Sequence, residues 1–150
     1  MINKKSILHI GIPILIGACI YTFFRTDALM VFRFYEMLHI DGWINAIRVH
    51  TMTWDIHPFI KYSLPDGLWV YAFTYYMASI WNDREKHRMK YVYLLSPFLF
   101  GVGGEVIQIF LPQIGTFDMN DFLISTVAYM AAFVCARLPV SLQERGIHYG

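Results

Sequence analysis

Residues 7–24, ILHIGIPILIGACIYTFF, contain no Asp, Glu, Lys or Arg. A hydrocarbon core about 30 Å thick takes roughly 20 apolar residues to cross as a helix. Lipid offers the backbone no water, so a run of this kind must bond within itself, and a helix does that. The chain carries three more runs near this length. They are Leu64–Trp81 (LPDGLWVYAFTYYMASIW), Tyr91–Leu111 (YVYLLSPFLFGVGGEVIQIFL) and the shorter Asp121–Ala136 (DFLISTVAYMAAFVCA). Composition agrees: 15% of residues are charged, against about 25% in soluble domains. Aromatic residues make up 17%, which suits two membrane interfaces where Tyr and Trp collect. The predicted fold class is all-α, a single membrane domain over residues 1–150. It is an integral membrane bundle of four transmembrane helices, with one or two interfacial helices between the first and second spans.

The basic residues predict an orientation. Lys4 and Lys5 precede the first span, Arg84, Lys86, Arg88 and Lys90 fill the second-to-third loop, and Arg137 and Arg145 follow the fourth. Cytoplasmic loops hold such an excess, so both termini are expected to be cytoplasmic in a multi-pass cell-membrane protein. The 25–63 and 112–120 segments then face outside. In the first of these, Arg25, Arg33, Arg48 and Lys61 are matched by Asp27, Glu36, Asp41 and Asp55. The first span is expected to be retained. Cys19 sits in a lipoprotein-like Ile16-Gly-Ala-Cys19, but the apolar run continues through Ile20–Phe24, unlike the start of a mature lipoprotein. In the outer segment, Arg33, Glu36 and His39 form a polar stripe on a helix over 27–40, with Thr26 or Asp27 to cap it. A second helix is expected over 42–54, with Asn45 and Arg48 about one turn apart. Such helices lie in the interface or lid the bundle.

Several acids stand close to, or inside, these spans. Glu105 lies six residues before Leu111, roughly 9 Å inside the outer end of the third span at 1.5 Å per residue. Gln108 shares its face. Asp66 follows Pro65 at the outer end of the second span, and Asp118 and Asp121 flank the outer start of the fourth. The topology therefore draws the acids to the outer-leaflet level from three segments. An ionisable group inside a span faces the bundle or a water-filled cavity, and Gly101, Gly103 and Gly104 let a neighbouring helix approach. The candidate ligand-binding residues are Asp66, Glu105, Gln108, Asp118 and Asp121. Each has a structural reading beside the functional one. Asp118 and Asp121 fit an N-cap and a first-turn acid, and Asp66 fits a cap of the second span. Glu105 could be glue, neutral or paired with Arg25 or Arg48.

Other chemistry is weakly signalled. His39, His50 and His57 have no helical metal spacing or HExxH context, and His9 reads as a bonded bundle histidine. Cys19 and Cys135 form no CxxC pattern. No metal, cofactor or catalytic residue is assigned. The net charge of +1 gives no field to attract nucleic acid.

The segment GGEVIQIFLPQIGTFDMNDFLISTVAYMAAF, residues 103–133, resembles the signature half of the VanZ-like membrane family. That pattern has Glu-x-x-Gln near the end of one span, then Leu-Pro, then an acidic FD-x-x-D entry to the next. Glu105, Gln108, Leu111, Pro112, Phe117, Asp118 and Asp121 match it. SLPDGLWVYAFTYYM, residues 63–77, is similar to the second-span region of small members. Two departures stand out: Gly115 lies where many members carry Arg, and Ser125 and Ala128 lie near their Asn-Gly. The resemblance implies the bacterial cytoplasmic membrane and cell envelope, and a link to low-level resistance to teicoplanin-type glycopeptides. The leading expectation is a non-enzymatic protein that binds or shields a lipid, lipid-linked glycan or glycopeptide at the outer leaflet, with membrane lipids as its partners. Alternatives are a membrane enzyme using clustered carboxylates on a lipid-linked substrate, a small proton-coupled transporter relaying through Glu105, and a structural subunit.

Overall fold

The computed structural model describes residues 5, 7–26, 30–81, 89–111, 113 and 117–146. Every regular element among them is helical. Helix α1 (Ile7–Phe24) opens with a wide π-type turn at Ile7–Gly11 and is α-helical from Ile12. A short outer pair follows, α2 (Met30–Met37) and α3 (Asp41–Thr51). A second π-type turn, Phe59–Ser63, leads into α4 (Leu64–Trp81). Then come α5 (Lys90–Phe110) and α6 (Met119–Gly146). Each wide turn stands just ahead of a proline, Pro13 or Pro65. Proline has no N–H to donate and its ring crowds the carbonyl one turn back, which a wider turn relieves.

The four long helices form a bundle with α4 at its centre, packed against α1, α5 and α6. Two glycines set the spacing. A Cβ on Gly67 would collide with Ile124 of α6, and one on Gly101 would collide with Val70 of α4. Backbones therefore approach at small residues, as membrane helices do. Gly103 and Gly104 differ from the expectation for this run, because nothing stands near either of them. At about 100° per residue, Gly103 stands on the side of α5 opposite Gly101.

Three of the four long helices are long and apolar enough to cross a membrane: Ile7–Phe24, Lys90–Phe110 and Met119–Arg137. The expected count of four is thus met only in part, since α4 falls short in apolarity. Its position gives the reason. Helix α4 packs against three neighbours, so it can carry polar residues such as Thr74 and Tyr75 on faces turned away from lipid. Thr74 and Tyr75 are buried. The outward faces of the other helices are apolar instead, with Leu15, Phe100, Phe110 and Val127 all exposed. This is the arrangement of a membrane protein, whose solvent-facing residues meet hydrocarbon. Helix α6 also runs on past Ala136, where the expected span stops. Apolarity limits a span, but it does not limit the helix that contains it.

The outer pair is fastened to the end of α1. The last carbonyls of a helix have no partner inside it. Here Arg48 of α3, which is buried, donates to the carbonyls of Thr22 and Arg25, the latter at 2.9 Å, and Thr51 Oγ1 donates to that of Phe23 at 2.9 Å. The Arg48 guanidinium also lies 4.3 Å from the ring centre of Phe32 on α2. One side chain therefore joins three elements. This corrects the suggested Glu105–Arg48 pairing, because Arg48 is spent on capping α1. The stripe of Arg33, Glu36 and His39 is exposed and does not lid the bundle. Helix α2 is shorter than expected because the chain turns at His39, which has a φ of 58°. Asp27 lies outside the described residues.

Candidate functional site: an acid-ended cavity between helices

A cavity of about 540 Å³ lies on α4, between α1 and α5. Its volume is within the roughly 300–1,000 Å³ typical of small-molecule sites. Helices α1 and α5 both pack on α4 but have at most marginal contact with each other. The gap between them is the cavity's mouth. Trp69, Tyr76 and Phe100 line the cavity and are 52%, 47% and 77% exposed, so the mouth faces sideways, where lipid lies.

One end of this cavity is acidic. Asp66 in the first turn of α4, Glu105 of α5 and Asp121 in the first turn of α6 all line it. The rest of the wall is largely apolar and aromatic, including Ile10, Ile14, Phe73 and Pro97. Three of the acids expected from sequence to converge therefore do so, although they come from three helices.

Glu105 does two things at once. Its Oε2 accepts the backbone N–H of Asp118 at 3.0 Å, which ties the end of α5 to the start of α6. Asp118 is the N-cap of α6: its Oδ1 accepts the N–H of Asn120 at 2.8 Å, and its carbonyl accepts the N–H of Phe122. The capping reading of Asp118 thus describes its position, and it is not in the cavity wall. Asp121, one turn on, points inward, and its Oδ1 is buried with no hydrogen-bond partner. Gln108 is also outside the lining, although it lies one turn from Glu105. Pro112 and Gly115 lie outside the described residues.

A second cavity of about 320 Å³ lies under α2 and shares Asp66 and Trp69 with the first. Thr22 Oγ1 and Tyr35 Oη line it and bond to each other at 2.8 Å. Arg25 is the cation in electrostatic reach of Asp66. It is held over the rings of Tyr21 and Tyr62, at 4.9 and 5.3 Å.

Sequence reasoning missed Trp69, Phe73, Tyr76 and Phe100 as site residues. It named Ser125 only as a departure from a family pattern. Ser125 is buried and lines the cavity four residues after Asp121, on the same face. That i, i+4 spacing was the available signal. The half of the bundle nearer the start of α1 holds a separate polar contact, in which His9 Nδ1 and Tyr71 Oη are hydrogen-bonded at 2.7 Å and His9 stacks on Tyr75. Among the described residues, no group of three His, Cys, Asp or Glu side chains is placed to hold a metal ion.

No family model, curated protein sequence or solved structure matches this chain.

Proposed function

We propose that this chain is a four-span protein of a bacterial cell membrane that binds or shields an amphipathic ligand at the outer leaflet. In this reading α4 is the fourth span, and both termini are cytoplasmic. The basic residues favour that orientation, since eight of them fall on the side where the chain begins and ends. The observation that carries the ligand reading is the cavity's polarity. It has three carboxylates at one end, aromatic and aliphatic walls below, and a mouth opening sideways between α1 and α5. An amphiphile could enter from the bilayer with its chain along the walls and its polar head at the acids.

We also propose membership of the VanZ-like family, on the Glu105–Gln108 and Asp118–Asp121 pattern, and with it a role in protection against teicoplanin-type glycopeptides. Asp66, Glu105 and Asp121 are the ligand-binding residues of the proposal. Gln108 and Asp118 support them from outside the cavity, Asp118 by capping α6.

The test is a pair of conservative substitutions, Glu105→Gln and Asp121→Asn, made separately and together. Membrane abundance and melting in detergent are read beside host sensitivity to glycopeptides. The proposal predicts normal abundance with lost protection. Unchanged protection at normal abundance would remove the acids from the resistance role, and lost abundance would make them structural.

A further inference from the structure

Among the described residues, the lining of the larger cavity contains Asp66, Glu105 and Asp121 and no lysine, arginine or histidine. The adjoining cavity shares Asp66 and, among the described residues, adds the hydroxyls of Thr22, Tyr21 and Tyr35. Three acids gathered into one low-dielectric space offer acceptor oxygens and, where ionised, repel one another. A ligand headgroup that carries positive charge relieves this, and one that carries negative charge adds to it. Arg25 does part of this work at Asp66, but it is held over two tyrosine rings and is absent from the lining of both cavities. At Asp121 the buried Oδ1 has no hydrogen-bond donor among the described residues.

We infer that the headgroup taken by this site is a protonated amine on an apolar chain. This inference rests on the amphiphile reading above and narrows its ligand class. An ammonium has three donors and no acceptor, which suits a cluster that offers acceptors from three helices. Glu105 Oε2 is occupied by Asp118 N–H, leaving Oε1 to meet the head. The donor that Asp121 Oδ1 lacks is supplied by the same group. Trp69, one turn from Asp66 in the wall, favours a cation further, since aromatic faces attract ammonium groups. Phosphate-headed carriers are disfavoured, because a phosphate brings acceptors and negative charge to a cluster that already has both.

The experiment compares three probes with one chain length on the full-length protein in a neutral detergent: decylamine, decanol and decyl phosphate. Native mass spectrometry counts one-to-one adducts across a concentration series. The expected result is amine binding at least about tenfold tighter than either competitor, a difference easily resolved in dissociation constants. In the Glu105→Gln/Asp121→Asn double variant that preference should collapse, with decanol binding unchanged. Equal binding of all three probes to the unsubstituted chain would overturn the amine inference and leave the amphiphile reading standing. Binding of none would overturn both. If the double variant melts early, the probe ranking on the unsubstituted chain decides alone.

Discussion

Glu105, which is part-buried, and Arg48, which is buried, show how differently two ionisable groups can act in one bundle. Arg48 is structural: it closes the carbonyl end of α1 and stacks on Phe32, so α2 and α3 stay on the bundle. Arg48→Met keeps much of the apolar stem but removes those donors. It should destabilise the fold by about 1.5–3 kcal/mol, the range for hydrogen bonds to charged groups, and a lower melting temperature in detergent checks this. Glu105 holds the α5–α6 connection and faces the cavity. Its two roles separate by substitution. Glu105→Gln retains an oxygen for the Asp118 N–H, so melting should be nearly unchanged while ligand binding falls. Glu105→Ala removes the acceptor and should cost about 1–3 kcal/mol as well. Equal melting of the two variants would show that the bond to Asp118 adds little.

Among the helices, α4 organises the bundle, and small residues set how closely its neighbours approach. Gly67 and Gly101 sit where helices come closest, so Gly101→Val should push α5 away from Val70 and cost about 1–3 kcal/mol by overpacking. Gly103→Val, with nothing near it, should be close to neutral. Melting both variants side by side tests the crossing point. The same contrast marks what could be read from sequence. Helix positions were legible, because apolar runs, prolines and basic flanks are local signals, but the ends of α2 and α6 were not. The grouping of Asp66, Glu105 and Asp121 was legible too, once chain direction alternated through the membrane. Which glycine carries the packing was not, since it depends on the crossing point of α4 and α5. Helix rotation hid Trp69, Tyr76 and Phe100, and the apolar deficit of α4 made sense only once α4 proved central. Arg48 was named among possible partners of Glu105, but capping depends on a tertiary fold that sequence spacing does not give.

Taken whole, the molecule has acidic side chains inside one end, with Lys90 and Arg137 together near the other. Between them lies a gap that neither α1 nor α5 closes. This shape suits a membrane protein that admits a molecule from the side rather than conducting one across, because the cavity rests on α4 and its mouth faces lipid. The central claim is that a specific amphiphile occupies that gap. The direct test places a photoreactive phenylalanine analogue at Phe73, inside the cavity, and separately at Phe110, which is 77% exposed on the outer face of α5. Both proteins are irradiated in their native membrane, and the adducts are identified by mass spectrometry. The account predicts a narrow set of adducts at residue 73, distinct from the bulk lipids captured at residue 110 and lost when Glu105→Gln and Asp121→Asn are added. The same lipid mixture at both positions, unaffected by those substitutions, would contradict it.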